Sequence, residues 1–366
     1  MTTSAVSNGE EFITAGMVCA HHHLYSSLAR GMPAPPQQPH LFRDVLEQVW
    51  WRLDAALDLE MIYWSAALGA MEALSCGTTA IIDHHESPFA IEGSLETIAR
   101  ACDMVGVRVL PCYGVTDRWN DDAQLQHVTR HSPMTQAARS GLAETKRFIE
   151  TGRPAMVGVH AAFTCGDETL QTAADLAVDL DVGVHIHVAE GPDDRDAADR
   201  IARFANDKWL LIHAVNLTTE LPGTIVHNPR SNMNNRVGYA RPAQWNNRTA
   251  LGTDGIGADM LEEFRLAYVA GRADDITFSP DTAWSWLNNG YELMPEARQD
   301  RVTWNYDHVT SPWHSAFTTG IRAVDVDIAG NAALRNGVPT NIDVVEIRSK
   351  AAEQARRLHL RLQSPV

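Results

Sequence analysis

Short apolar runs alternate with longer amphipathic stretches along this chain, and each of eight runs delivers a polar residue at its end. Ile13 to Ala20 leads into His21-His22-His23, and Thr79 to Ile82 into Asp83-His84-His85. The following runs end on Tyr113, His160, His187, His213, His227 and Asp254. Strands that alternate with helices form a parallel sheet through right-handed crossovers. Eight such units predict an α/β fold of the closed (β/α)8 barrel type, whose chemistry sits at the C-terminal ends of the strands. Around this rhythm the pattern predicts a proline-rich loop at 31–42, a helical stretch over about 43–77 and a helix from Met260 to Gly271. Residues 272–320 read as irregular. Two short strands, Val324 to Ile328 and Ala332 to Arg335, flank a Gly330-Asn331 turn, and a terminal amphipathic helix runs from Asn341 to Leu360. The expected organisation is a loose lead-in at 1–12, a barrel at 13–290 and a C-terminal segment at 291–366.

The polar ends carry the candidate chemistry. If Ile13 to Ala20 is a strand, His21 and His23 point to one side and His22 to the other. Alone, three histidines in a row also fit a polar loop. Eight polar strand ends together are a stronger signal, because buried imidazoles and carboxylates without a common task each cost free energy. The best ligands are His21, His23, His187 and Asp254. Three imidazoles and a carboxylate suit one borderline divalent ion, Zn2+ before Fe2+, with a position left for water that such an ion acidifies. Glu190, three residues after His187, is the candidate proton shuttle; its alternative is a carboxylate favoured by a helix N-terminus. His213, on the next strand end, is placed to hydrogen-bond a developing oxyanion, or else to support the ligands from behind.

Composition narrows the partners. The 366 residues carry a net charge of −16, which argues against nucleic acid and anionic membranes as partners. No apolar run is long enough to span a bilayer, and Met1 to Glu11 lacks a secretory pattern, so the reading is a soluble, cytoplasmic protein. Five cysteines, an odd number with no Cys-x-x-Cys, fit free thiols in a reducing compartment.

Five motifs then share a pattern: Ala20-His21-His22-His23-Leu24, His185-Ile186-His187-Val188-Ala189-Glu190, Leu211-Ile212-His213-Ala214-Val215, Val226-His227-Asn228-Pro229-Arg230-Ser231-Asn232-Met233 and Gly252-Thr253-Asp254-Gly255. In this order they resemble the amidohydrolase superfamily, in the branch with cytosine and guanine deaminases, S-adenosylhomocysteine-type deaminases and triazine chlorohydrolases. Gly252 to Met260 and Asp83-His84-His85-Glu86-Ser87-Pro88 look most like the SsnA-type aminohydrolases. The resemblance implies one metal ion on His21, His23, His187 and Asp254, with proton work by Glu190, His213 and Asp254. Binuclear members use a carboxylated lysine at the end of strand four. Here that position is His160, and none of the three lysines, Lys146, Lys208 and Lys350, stands at a suitable strand end.

The resemblance also places His160 and His84 toward the substrate; the alternative for each is a satisfied packing histidine. Tyr25 and Arg30 fall on the loop after the first strand, and Arg118 and Trp119 on the loop after the third, where they are available to cover a planar ring. For these last four the plainer reading is ordinary loop surface. His185 is expected behind the ligands, His22 in a structural role, and His227 and Asn228 in locking the strand-seven loop. The expected activity is hydrolytic deamination of a small N-heterocycle, cyclic amidine or guanidine with release of ammonia. The alternatives are hydrolysis of another C–N or C–X bond at the same site, or a non-catalytic metal-binding relative. Relatives build a small β-domain from segments flanking the barrel. Little chain precedes His21 here, and Gln299 to Trp304 departs from the usual pattern, so that domain is expected to be reduced or missing. Cover for the exposed barrel face is then expected from Trp304 and Trp313 or from a second subunit, in a homodimer.

Overall fold

A computed structural model describes residues 12–255 and 257–363. The lead-in expected at 1–12 lies outside these residues except for Phe12. The first apolar run is not one strand. Ile13–Thr14 forms β1 in a separate sheet, and Met17–His22 forms β2, the first barrel strand. Gly16 lies at the break, where a Cβ would sit 2.0 Å from Thr79 Oγ1, so only glycine lets the chain pass this close to the second barrel strand.

The barrel continues through β3 (Thr78–His85), β4 (Arg108–Val115), β5 (Val157–Ala161), β6 (Val184–Val188), β7 (Leu210–His213), β8 (Thr224–His227) and β9 (Thr249–Leu251). These eight strands pair in parallel and in chain order. The sheet closes at a thin seam. One parallel bridge joins His22 to Asp254, and the Thr253 and Asp254 amides donate to the His21 carbonyl at 3.0 and 3.1 Å. Inward-facing Val18, Ala20, Ala80, Ile82, Ile212 and Val226 fill the lower barrel, as the two-residue period of a strand requires. The polar ends lie beyond this apolar plug.

The small β-domain is not missing. β1 and the C-terminal strands β10 (Arg301–Trp304), β11 (Ala323–Ile328), β12 (Asn331–Arg335) and β13 (Val338–Pro339) form a five-stranded antiparallel sheet in that order. β10 was hard to read because only Val302 and Trp304 of its four residues face inward. Trp304 does cover the barrel, packing in one buried cluster with Met17, Cys19 and Ile81, while its indole N–H donates to Thr14 Oγ1 at 2.9 Å. Trp313 does not; it is half exposed and bonds Asp281.

The stretch at 272–320 is also more regular than its sequence suggests. Helices at Pro280–Asn288 and Pro312–Phe317 each begin with a Ser-Pro pair, and Ser279 and Ser311 cap them. Serine at the cap followed by proline at the first helical position is a start signal, not only a loop signal. The helical stretch predicted over 43–77 divides into Phe42–Val45, a π turn at Leu46–Trp50, Trp51–Ala56 and Leu59–Ser75. The terminal helix, Val344–Gln363, buries Ile347, Ala351 and Leu358, and its Arg357 and Arg361 both pair with Asp58 at the start of Leu59–Ser75.

Candidate active site

Ends of three barrel strands, β2, β6 and β9, converge on one rim. The ligand atoms of His21, His23, His187 and Asp254 all lie within 4.8 Å of one another. Asp254 Oδ1 is 3.4 Å from His21 Nε2 and 3.1 Å from His23 Nε2. Each imidazole is oriented through its far nitrogen. His23 Nδ1 donates to the His84 carbonyl at 2.6 Å, and His187 Nδ1 to the His160 carbonyl at 2.7 Å. His21 Nδ1 shares a hydrogen bond of 2.9 Å with His185 Nε2. These bonds leave the Nε2 lone pairs of His23 and His187 turned to the centre, the arrangement a metal-binding histidine needs.

The donor set fits a divalent cation on a further observation. His21 Nε2 is buried without a hydrogen-bond partner, and it faces a carboxylate. Burial pushes His21 and His187 well below the usual imidazole range, so both stand neutral, as ligands must. Burial opposes charge on Asp254 too, but the imidazoles of His21 and His23 beside it hold it well below the usual carboxylate range. Burial likewise opposes charge on His23, yet its bond to Asp254 drives it up to about 9.

Glu190 and His213 join the same rim. His213 Nε2 is 3.5 Å from Glu190 Oε2 and 3.7 Å from Asp254 Oδ2. His213 Nδ1 donates to Asn232 Oδ1 at 2.7 Å, which leaves Nε2 free to exchange a proton. Burial, and then the charge of Asp254, raise Glu190 well above the usual carboxylate range. Ser231 Oγ donates to Asp254 Oδ2. Three of the residues that aim this set are left-handed without being glycine: Ala189 at φ 51°, His213 at φ 70° and Asp254 at φ 57°. Such backbone costs of order 1–3 kcal/mol each and clusters at functional sites.

The rim opens into a narrow cavity lined by His23, His187, Glu190 and Asp254 together with Tyr25 and His160. Phe42, Trp50, Trp51 and Phe163 supply its aromatic walls. His84 is fully buried and packs 4.7 Å from the His187 ring, behind the ligands and away from the cavity lining. Trp119 is also buried, against Phe89 at 5.5 Å, and does not line the cavity.

The loop-surface reading of Tyr25, Arg118 and Trp119 is corrected, since all three are at most 4% exposed. Arg30 does lie at the surface, paired with Glu72. His22 donates to the Asp254 carbonyl at 2.7 Å and so helps close the seam. Asp54, Glu86, Asp194 and Asn235 also line the cavity and had no reading beforehand. Asp54 and the tryptophans come from the segment with the π turn, whose shifted register turns both Trp50 and Trp51 to the cavity, and apolar periodicity does not reveal such a turn.

The sequence profile of the amidohydrolase family matches residues 12–287. The chain belongs to the amidohydrolase family. This amidohydrolase is 25% identical to the 5'-deoxyadenosine deaminase of Methanopyrus kandleri, over 95% of the chain and 87% of that protein. It is 26% identical to the 5-methylthioadenosine/S-adenosylhomocysteine deaminase of Syntrophomonas wolfei, over 96% and 88%. Its fold is similar to that of an adenosine deaminase from Xanthomonas campestris with bound zinc, with a TM-score of 0.78 and 20% identity over 95% of this chain and 86% of that one. A triazine hydrolase variant has the same TM-score at 19% identity, over 94% and 87%. The five cysteines are all free thiols. No helix of the described residues is long and apolar enough to cross a membrane.

Proposed function

We propose that this amidohydrolase is a mononuclear metal-dependent aminohydrolase that removes an amino group from a small N-heterocycle or cyclic amidine as ammonia. One observation carries the reading: four ligand atoms meet within 4.8 Å, and a second group of Glu190, His213 and Asp254 shares the same carboxylate. Relatives named as deaminases over nearly the whole chain support it.

A divalent ion on His21, His23, His187 and Asp254, with zinc the best match to three imidazoles and a carboxylate, supplies Lewis acidity that makes water nucleophilic near neutral pH. The chain's own groups do the rest. Glu190, with its raised proton affinity, takes a proton from the attacking water and returns it to the ring nitrogen next to the carbon that reacts. His213 Nε2, an acceptor because Nδ1 carries the ring proton, takes the second proton of the attacking water and then stands as a cation beside the oxygen of the tetrahedral carbon. Asp254 Oδ2, fixed by Ser231, receives this second proton from His213 and passes it to the departing amine. Trp50, Trp51 and Phe163 hold the planar ring and exclude water, which strengthens each of these contacts. His160, Tyr25 and Glu190 set the ring's orientation.

The test is elemental analysis of the purified protein with an ammonia-release screen over aminopurines, aminopyrimidines, aminotriazines and their nucleosides. One equivalent of metal and ammonia from at least one substrate are expected. Metal without ammonia across the panel would remove the deaminase reading. Glu190→Gln is expected to keep the metal and lose turnover by about two to four orders of magnitude. We also place the protein in the cytoplasm as a homodimer, a state supported by the exposed Trp313 and Phe317 and checked by analytical ultracentrifugation.

A further inference from the structure

One wall of the cavity has no part in the mechanism above. Asp54, on Trp51–Ala56, and Glu86, just past β3, both line it, and both are almost fully buried. A single guanidinium serves the two. Arg118 Nη2 lies 2.7 Å from Asp54 Oδ2 and also contacts Glu86 Oε2. Arg118 is 1% exposed, sits 4.9 Å from the Trp51 ring centre and is not part of the cavity surface. Its Nε and Nη1 are sealed in as well. The wall therefore shows carboxylate oxygens to the cavity and keeps its cation behind them.

The charges do not balance. No lysine or arginine lines the cavity, whereas Asp54, Glu86, Asp194, Glu190 and Asp254 all do. Asp254 faces the ligand imidazoles and Glu190 the proton path. Asp194 is committed to the backbone amides of Phe163 and Ala189, at 3.0 and 2.7 Å. Two carboxylates remain against one guanidinium, and a buried charge without a partner is costly. Burial, and next the charge of Glu86, push Asp54 up to about 8, against the Arg118 charge and the Tyr25 hydroxyl that lower it. His160 Nε2, 3.9 Å from Glu86 Oε1, is too far to balance the second carboxylate.

We propose that Asp54 and Glu86, braced by Arg118, form a specificity subsite for a positively charged nitrogen group of the substrate, set apart from the carbon that reacts. An amidinium or guanidinium edge suits it best, because two parallel N–H donors match carboxylate oxygens. The inference rests on the deaminase reading for the reaction and adds the substrate class: amino-substituted heterocycles that carry a second, cationic nitrogen.

Benzamidine and benzamide test this without turnover, being planar and alike in size but different in charge. Titration calorimetry on the metal-loaded protein is expected to show benzamidine binding at least about tenfold more tightly. Equal affinities would overturn the subsite. In Asp54→Asn and Glu86→Gln, each confirmed as folded by circular dichroism, the preference is expected to shrink to about twofold or less. A preference kept in both variants would also overturn it. The two readings fail separately. Ammonia release without a benzamidine preference removes only the subsite, and the preference without ammonia from any substrate removes only the deaminase.

Discussion

His213 shows how one side chain is prepared for its task. Its Nδ1 is tied to Asn232, so its Nε2 is the atom left to work between Glu190 and Asp254. Asn232→Ala removes that tie and lets the proton move to the wrong nitrogen. Turnover is expected to fall about 10–100-fold with metal content unchanged, as for other groups that orient site histidines. Metal analysis beside kcat checks this, and a loss of metal would show that Asn232 acts on the ligands instead. At this scale the sequence was most informative where strand alternation governs: His185 and His187 share one face of β6, and His21 and His23 share a side, although a register shift after Cys19 is what turns them inward next to inward Ala20. It was silent on Asp54 and misleading on Arg118. Arg118 stands on a loop and Asp54 on a short helix just past a π turn, where no simple period relates position to direction.

Among the elements, β5 supplies a sharp test of packing. A Cβ on Gly158 would lie 2.3 Å from the Tyr113 carbonyl oxygen, which is backbone and has no room to yield. Gly158→Ala is expected to destabilise the fold by about 1–3 kcal/mol, read from the urea midpoint. Because His160 and its carbonyl follow on the same strand, metal affinity should fall with it. The barrel strands were legible because each is a short apolar run closed by a polar residue. β1 was not, since it joins the small sheet through a partner nearly 290 residues away, as in Ile13 with Thr303. Local pattern carries no trace of pairing at that distance.

For the molecule as a whole, ligand and proton binding both appear as stability. Chelating the metal is expected to lower Tm, and added zinc to restore it, because the ion binds only the folded chain. Acid should act through buried neutral histidines. Burial, and then His213, depress His227 to about 3, against about 6.5 when unfolded. Between these values the unfolded chain binds more protons, so this contribution rises with pH and is lost on acidification. Asp194 and Glu263, both raised by burial to about 7, act in the opposite sense. The His227 part is therefore isolated by difference. His227→Phe is expected to gain stability relative to wild type as pH falls from 6.5 to 4, measured by urea titration at each pH.

The seam between β2 and β9 has a consequence for how the protein comes to hold its ion. His21 and His23 stand on one side of that junction and Asp254 on the other, with 232 positions of chain between His22 and the carbonyl it meets. Contacts this remote in sequence are late to assemble. A nascent or half-assembled polypeptide thus offers a cation two or three imidazoles scattered along it, but never the finished chelate. Loading waits for closure, and tight retention of the ion marks a chain that has completed its circle.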